Sequence, residues 1–206
     1  MFIHESDAGT DDEWRSFLAT HAFGELVASG RDRDVAVVVP TQFVLLGDEI
    51  LIHLLRPNPI WTAIAENPNV VLCVSGDWAY IPSNWKVIGD EDAARGIPTT
   101  YYASVQIVGT ARVIDDPAAM AELLGAQLAH LQPDVEVVNP LAHGSRLRAI
   151  RGLRLEIATV RSKFKYGGNV DVAHRLAVAD RLDERDGVGD RAALSHLRRR
   201  LDTGAS

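Results

Sequence analysis

Between Ile50 and Tyr80 the chain reads ILIHLLRPNPIWTAIAENPNVVLCVSGDWAY, and two proline-bearing turns cut it into short, defined pieces. Glu49 to Leu55 reads as a strand, and His53 and Arg56 stand where the chain leaves it. Pro59 opens a short helix to Glu66, because proline loses no hydrogen bond at the first helical position, and Asn58 is placed to cap it. Asn67-Pro68 closes that helix, and Val70 to Val74 and Trp78 to Pro82 read as two further strands. Arg56, Asn58 and Trp61 thus put a cation, an amide and an aromatic within six residues. A helix N-terminus beside an arginine is a candidate seat for a phosphate.

The flanking segments carry the same β-rich signal. Thr10-Asp-Asp-Glu13 fits a capping box and predicts a helix over 11–20, with Trp14, Phe17 and Leu18 at helical spacing. Phe23 to Ser29 reads as a strand, and Val35 to Pro40 as a strand buried on both faces. Gln42 to Leu46, a Gly47-Asp48 turn and Glu49 to Leu55 form a hairpin. Asn84 to Pro98 is a polar excursion. Thr99 to Ile114 is a long strand in which Gly109 marks a bend or bulge. Asp116-Pro117 starts a helix to about His130, a further helical turn lies within 141–151, and Gly152 to Val160 alternates as the last strand. The remainder is charged and helical.

The pattern predicts a mainly β protein with peripheral helices (α+β), about six antiparallel strands forming a small closed or nearly closed barrel. The barrel is expected over 1–170, with 171–206 a helical extension packed on it.

At 206 residues the chain is long enough for a sizeable core in one domain. A formal net charge of -7 argues against a surface that wraps duplex DNA, since such surfaces neutralise phosphates with Lys and Arg. The single cysteine, Cys73, lies in an apolar strand and reads as a core residue. The acidic N-terminal stretch is unlike a signal peptide, and no apolar run reaches the ~18 residues of a membrane span. A cytoplasmic location without membrane attachment is expected.

Several residues are candidates for chemistry. Thr99, Thr100, Tyr101 and Tyr102 make a hydroxyl-rich strand start, and alternation puts Thr100, Tyr102 and Gln106 on one face. Lys163-Phe-Lys165 follows the last strand and offers two cations around an aromatic. His53 can contact a ring, bind a metal or be a half-buried histidine, and Trp61 can anchor a core or stack. His143, His174 and His196 are scattered, which does not suggest a zinc site. No CxxC, HExxH, GxSxG or dinucleotide-binding glycine pattern is present. Arg198-Arg-Arg200 follows a run of acids and reads as part of a solvated amphipathic helix.

Five pieces of the chain, in order, resemble the FMN-binding split-barrel proteins and their PaiB-like branch, the FMN-binding negative transcriptional regulators. They are His53-Leu-Leu-Arg56-Pro-Asn58-Pro-x-Trp61, Ala79-Tyr80-Ile81-x-Ser83-x-Trp85, Ile97-Pro98-Thr99, Val105-Gln106-x-x-Gly109 and Lys163-Phe164-Lys165. The resemblance implies an antiparallel six-stranded split barrel of the FMN-binding type. It implies a homodimer with the flat cofactor at the subunit interface, and a role in transcription that the charge balance does not favour. Its cofactor-binding residues would be His53, Arg56, Asn58, Trp61, Thr99, Thr100, Tyr102, Gln106, Lys163 and Lys165, and its cofactor FMN.

The chain departs from the family at Val37-Val38, Thr62, Thr100-Tyr101, Gln106 and Tyr166-Gly167-Gly168. These are largely polar, cofactor-facing positions. The similar piperazate synthases carry haem on the same scaffold and close an N–N bond. Haem b is therefore the alternative cofactor, with His53, His143 or His174 as axial ligand. A flavin- or haem-dependent redox enzyme is the alternative function, and a cofactor-free relative the third.

Overall fold

The computed structural model describes residues 1–202. Helix α1 (Asp11–Thr20) opens on the expected capping box: Thr10 Oγ1 accepts from the Glu13 amide at 3.2 Å, and Glu13 Oε2 accepts from the Thr10 amide at 3.0 Å. In chain order there follow β1 (Phe23–Ala28), β2 (Val37–Gln42), β3 (Val44–Leu46), β4 (Glu49–Leu55), α2 (Ile60–Glu66), β5 (Asn69–Ile81) and β6 (Thr99–Ile114). Then come α3 (Pro117–Leu131), α4 (Ser145–Arg148), β7 (Ile150–Lys165), α5 (Val172–Arg185) and α6 (Asp190–Asp202).

The strands lie in the order β2-β1-β5-β6-β7-β4-β3. That order explains how a sheet with free edges resembles a barrel. β2 and β3 stand at its opposite ends, yet Phe43 alone separates them in the chain. The chain must turn there, so the two margins meet at one fully buried phenylalanine with no ladder between them. This is an open, split barrel of seven strands, one more than expected.

Three other expectations are corrected. β2 is a margin that pairs only with β1, so Val38 is exposed and the strand is not buried on both faces. The two strands expected over 70–82 are one strand, β5, which continues through Asp77 at a φ of 51°. β7 runs on to Lys165, so Lys163-Phe164-Lys165 belongs to the strand rather than to a loop after it.

Contacts divide the chain into two compact units: Met1–Trp14, Ser75–Val105 and the chain from Arg161 on form one, and Arg15–Val74 with Gln106–Val160 the other. Residues 203–206 of the expected extension lie outside the described residues.

In the Arg15–Val74 and Gln106–Val160 unit, β4 pairs antiparallel with β7, setting Ile50 against Leu155 and Ile52 against Leu153, all four fully buried. Gly109 sits where a side chain on β6 would run into the Glu156 carbonyl, so the backbones of β6 and β7 approach closely there. Helix α3 starts with Asp116 Oδ2 accepting from the Ala119 amide at 2.9 Å and buries Met120 and Leu123.

In the other unit, α5 and α6 bury Val178, Leu182 and Leu197. Arg185 clamps the turn between the two helices through both carboxylate oxygens of Asp190, at 2.7 and 2.6 Å. Asp77, held in the left-handed region, accepts from Tyr166 Oη at its carbonyl (2.9 Å) and pairs through Oδ2 with His196 Nε2 (2.7 Å). Arg200 is buried and donates to the carbonyls of Ser6 and Ala8 at 2.7 and 3.2 Å. The expectation of a solvated arginine run fails at this residue, because α6 turns that position toward the N-terminal segment.

Candidate functional site

The candidate residues divide evenly between the units. Thr99, Thr100, Tyr102, Lys163 and Lys165 belong to one; His53, Arg56, Asn58, Trp61 and Gln106 belong to the other.

The first group gathers where β6 begins and β7 ends. Lys165 Nζ donates to Thr99 Oγ1 at 2.7 Å. Lys86, on the segment leading into β6, feels this ammonium: burial, and after it the charge of Lys165, pull its pKa below the ordinary lysine value. Lys86, Glu91, Arg95 and Ile97 are among the residues around a cavity of about 560 Å³. Gly96 lets that segment fold tightly, since any side chain there would strike the Ser83 carbonyl. The Lys165 charge disfavours the Lys86 ammonium, and an anion bound near both would offset that repulsion. Lys86 and Arg95 offer cations to a phosphate there, while the lining acids Glu91 and Asp92 are engaged within the segment, by Ile88 and His174 and by Ala94.

Lys163 is differently employed. It is buried, donates to the Phe2 carbonyl at 3.1 Å and lies 3.7 Å from Asp7 Oδ2. Its ammonium also lies 5.8 Å from the Tyr102 ring centroid and 6.0 Å from that of Phe2. Thr100, Tyr102 and Gln106 are half-buried, while their alternates Tyr101, Ala103, Val105 and Ile107 fill the core, as a period of two requires. Lys86, Phe2 and Asp7 escaped sequence reasoning. Lys86 follows Trp85 in a polar stretch without periodicity, and nothing local ties residues 2 and 7 to residue 163.

In the second group, Arg56 has three jobs within the protein. Its Nε donates to the Arg148 carbonyl (2.9 Å), Nη1 to Asp115 Oδ1 (2.8 Å) and Nη2 to the Ile150 carbonyl (3.3 Å). Asn58 Oδ1 accepts from the Ile60 amide at 3.0 Å, at the start of a helix of only seven residues. Trp61 is an anchor: its Nε1 donates to the Leu55 carbonyl at 2.9 Å, and the Arg151 guanidinium stands 5.9 Å from its ring. These three organise the turn after β4.

The histidines separate clearly. His174 has Nδ1 2.7 Å from Asp171 Oδ2 and Nε2 3.0 Å from Glu91 Oε2, so both nitrogens are engaged. His143 is exposed on a short 3-10 turn. His53 pairs through Nδ1 with Gln127 Oε1 at 2.7 Å. Among the described residues, no group of three or more His, Cys, Asp or Glu side chains could hold a metal ion, and no helix is long and apolar enough to cross a membrane.

Residues 1–159 match the model of a family described as "Putative FMN-binding domain". Among solved structures, the flavocytochrome Anf3 from Azotobacter vinelandii is similar in fold, with a TM-score of 0.60 at 21% identity over 77% of this chain and 68% of that one. The FAD and heme binding protein from Mycobacterium smegmatis gives a TM-score of 0.61 at 21% identity over 79% of this chain and 75% of that one. No curated protein matches. At these identities the solved structures speak for the fold alone: an antiparallel split barrel of the flavin-binding kind.

Proposed function

The chain belongs to the FMN-binding domain family, and on that premise we propose that it is an FMN-dependent redox enzyme that anchors the cofactor's phosphate at Lys86 and Lys165. The observation that carries this reading is the Lys165–Thr99 hydrogen bond at the start of β6, with Lys86 and Arg95 lining the neighbouring cavity and Lys86 half-buried there. Thr99 orients Lys165 through the 2.7 Å hydrogen bond, and Val87 and Ile97 supply apolar wall. FMN, when bound, supplies reversible uptake of a hydride or of single electrons. The protein's share is to hold the phosphate and keep Lys165 in place.

Between the two cellular roles read from the sequence, the distribution of charge favours the enzyme over the regulator. The C-terminal arginines are largely neutralised within the protein: Arg191 by Asp186 at 2.6 Å, Arg198 by Asp183 at 3.8 Å and Arg200 by Glu13 at 3.7 Å. Cations already paired gain little by displacing counterions from DNA. A salt-sensitive, sequence-dependent shift of upstream DNA by the purified protein would restore the PaiB-like regulatory role.

A homodimer is part of the proposal. Trp78 and Tyr80 lie on one face of β5 and are 57% and 51% exposed, an apolar pair suited to burial against a second copy. Light scattering of the eluted protein should give twice the monomer mass, and a monomer would remove this part.

FMN binding itself is tested by titration followed through flavin fluorescence. Lys165→Met should weaken FMN by about tenfold or more, the scale of one charged hydrogen bond. Unchanged affinity would remove the phosphate anchor. Haem b remains the second reading because His53 keeps a ring nitrogen clear of Gln127, whereas His174 has both nitrogens engaged.

A further inference from the structure

A separate cavity of about 430 Å³ lies in the Arg15–Val74 and Gln106–Val160 unit, with His53 of β4 and Gln127 of α3 among its walls. Gln127 is 4% exposed and uses both ends of its amide. Its Nε2 donates to the Leu51 carbonyl at 3.0 Å, which leaves Oε1 as the acceptor facing His53 Nδ1 at 2.7 Å. The proton in that short contact therefore sits on Nδ1, and a neutral imidazole protonated there carries its lone pair on Nε2. A buried residue with no other polar task thus holds an accessible histidine in one tautomer. That is the arrangement that gives a ring nitrogen a defined role toward a ligand.

The remaining walls define the ligand. Leu124, Leu128, Leu131, Phe23 and Pro40 supply apolar wall beside the neutral amides of Gln42 and Gln132, and no residue lining the cavity carries a formal charge. Thr41 contributes little polarity, since its hydroxyl donates to the Gln42 carbonyl at 3.0 Å. An anion would find no cation there and would meet the Nε2 lone pair. A metal ion would find a single ligand. The volume falls within the range of small-molecule pockets, ~300–1,000 Å³.

We propose that this cavity binds an uncharged, ring-sized molecule with one hydrogen-bond donor, a phenol by chemical class, whose hydroxyl donates to His53 Nε2. The site is independent of the flavin reading. It assigns His53 and Gln127 to ligand recognition rather than to the cofactor, with Gln127 a positioning residue that acts through the histidine.

The test uses p-cresol and toluene as probes on the full-length protein, with binding followed by calorimetry and by ¹⁵N NMR of the His53 ring. The expected result is saturable p-cresol binding at least tenfold tighter than toluene. The ¹⁵N spectrum should show a proton on Nδ1, with p-cresol shifting Nε2. His53→Phe, at an exposed position, should keep its circular dichroism and melting temperature while bringing p-cresol down to the affinity of toluene. Equal affinity for the two probes, no saturable p-cresol binding, or a proton on Nε2 in the free protein would overturn the proposal. So would a Soret band in the native protein that disappears in His53→Phe, because Nε2 would then belong to haem iron. Should His53→Phe fail to fold, the NMR result on the native protein still decides.

Discussion

Arg56 Nη1 and Arg151 Nε share one carboxylate oxygen, Oδ1 of Asp115, each at 2.8 Å. The most conspicuous cation of the Arg-Pro-Asn-Pro turn is thus part of a staple. It ties the turn after β4 to the end of β6 and to the start of β7, where Arg56 Nη2 also donates to the Ile150 carbonyl. A phosphate arriving here would compete with Asp115.

Arg56→Ala should accordingly act on stability. Three hydrogen bonds are lost, but the side chain is 40% exposed, so the expected cost is about 1–2 kcal/mol. Urea denaturation measures it, and FMN affinity should stay within about twofold of the native protein. A stability unchanged alongside a large loss of FMN would return Arg56 to the cofactor.

His174 makes the 88–96 segment sensitive to pH. Glu91, and then Asp171, raise its pKa above the ordinary histidine value. In return the His174 ring lowers the Glu91 pKa, and the His174 backbone amide, ahead of its ring, lowers that of Asp171. A raised histidine contributes fully below its unfolded value and loses its contribution as pH rises through the folded one. Lowered carboxylates contribute above their unfolded values and lose their contribution as pH falls through the folded ones. The contact is complete between roughly pH 4.5 and 6.5, the unfolded values of the two kinds of group. Hydrogen-exchange protection of 88–96 should be greatest there and fall on the alkaline side. In Glu91→Gln that alkaline fall should be much reduced, and a pH-independent protection in the native protein would refute the clamp.

Gly109→Ala forces a methyl against the Glu156 carbonyl inside a ladder of the sheet. Overpacking of this kind costs about 1–3 kcal/mol. A melting temperature as high as the native one would show that the strands can part without penalty.

Much of the fold was legible because its signals are local. The capping box at Thr10 and Glu13, the Asp116 cap and the alternation from Tyr101 to Ile107 each rest on a few neighbouring residues, and each forms as read. What failed depended on partners distant in sequence. Val35 to Pro40 has the composition of a buried strand, but its place at a sheet margin is set by a strand order that no local pattern reveals. Ser75-Gly-Asp77 resembles a turn, and it stays in β5 because Tyr166 and His196 hold Asp77 from nearly ninety residues or more along the chain. The candidate site divides in the same way. Lys165 and Thr99 were both visible as candidates, whereas their bond was not. Lys86 becomes conspicuous only once the fold half-buries it and sets the charge of Lys165 against it.

FMN titration of three proteins in parallel tests the flavin site most directly: the native chain, Lys165→Met and Arg56→Ala. The native chain should bind FMN saturably, Lys165→Met should bind it about tenfold or more weakly, and Arg56→Ala should bind it nearly as well as the native chain. A native chain that takes up no FMN, or a Lys165→Met variant that binds it undiminished, would contradict the assignment.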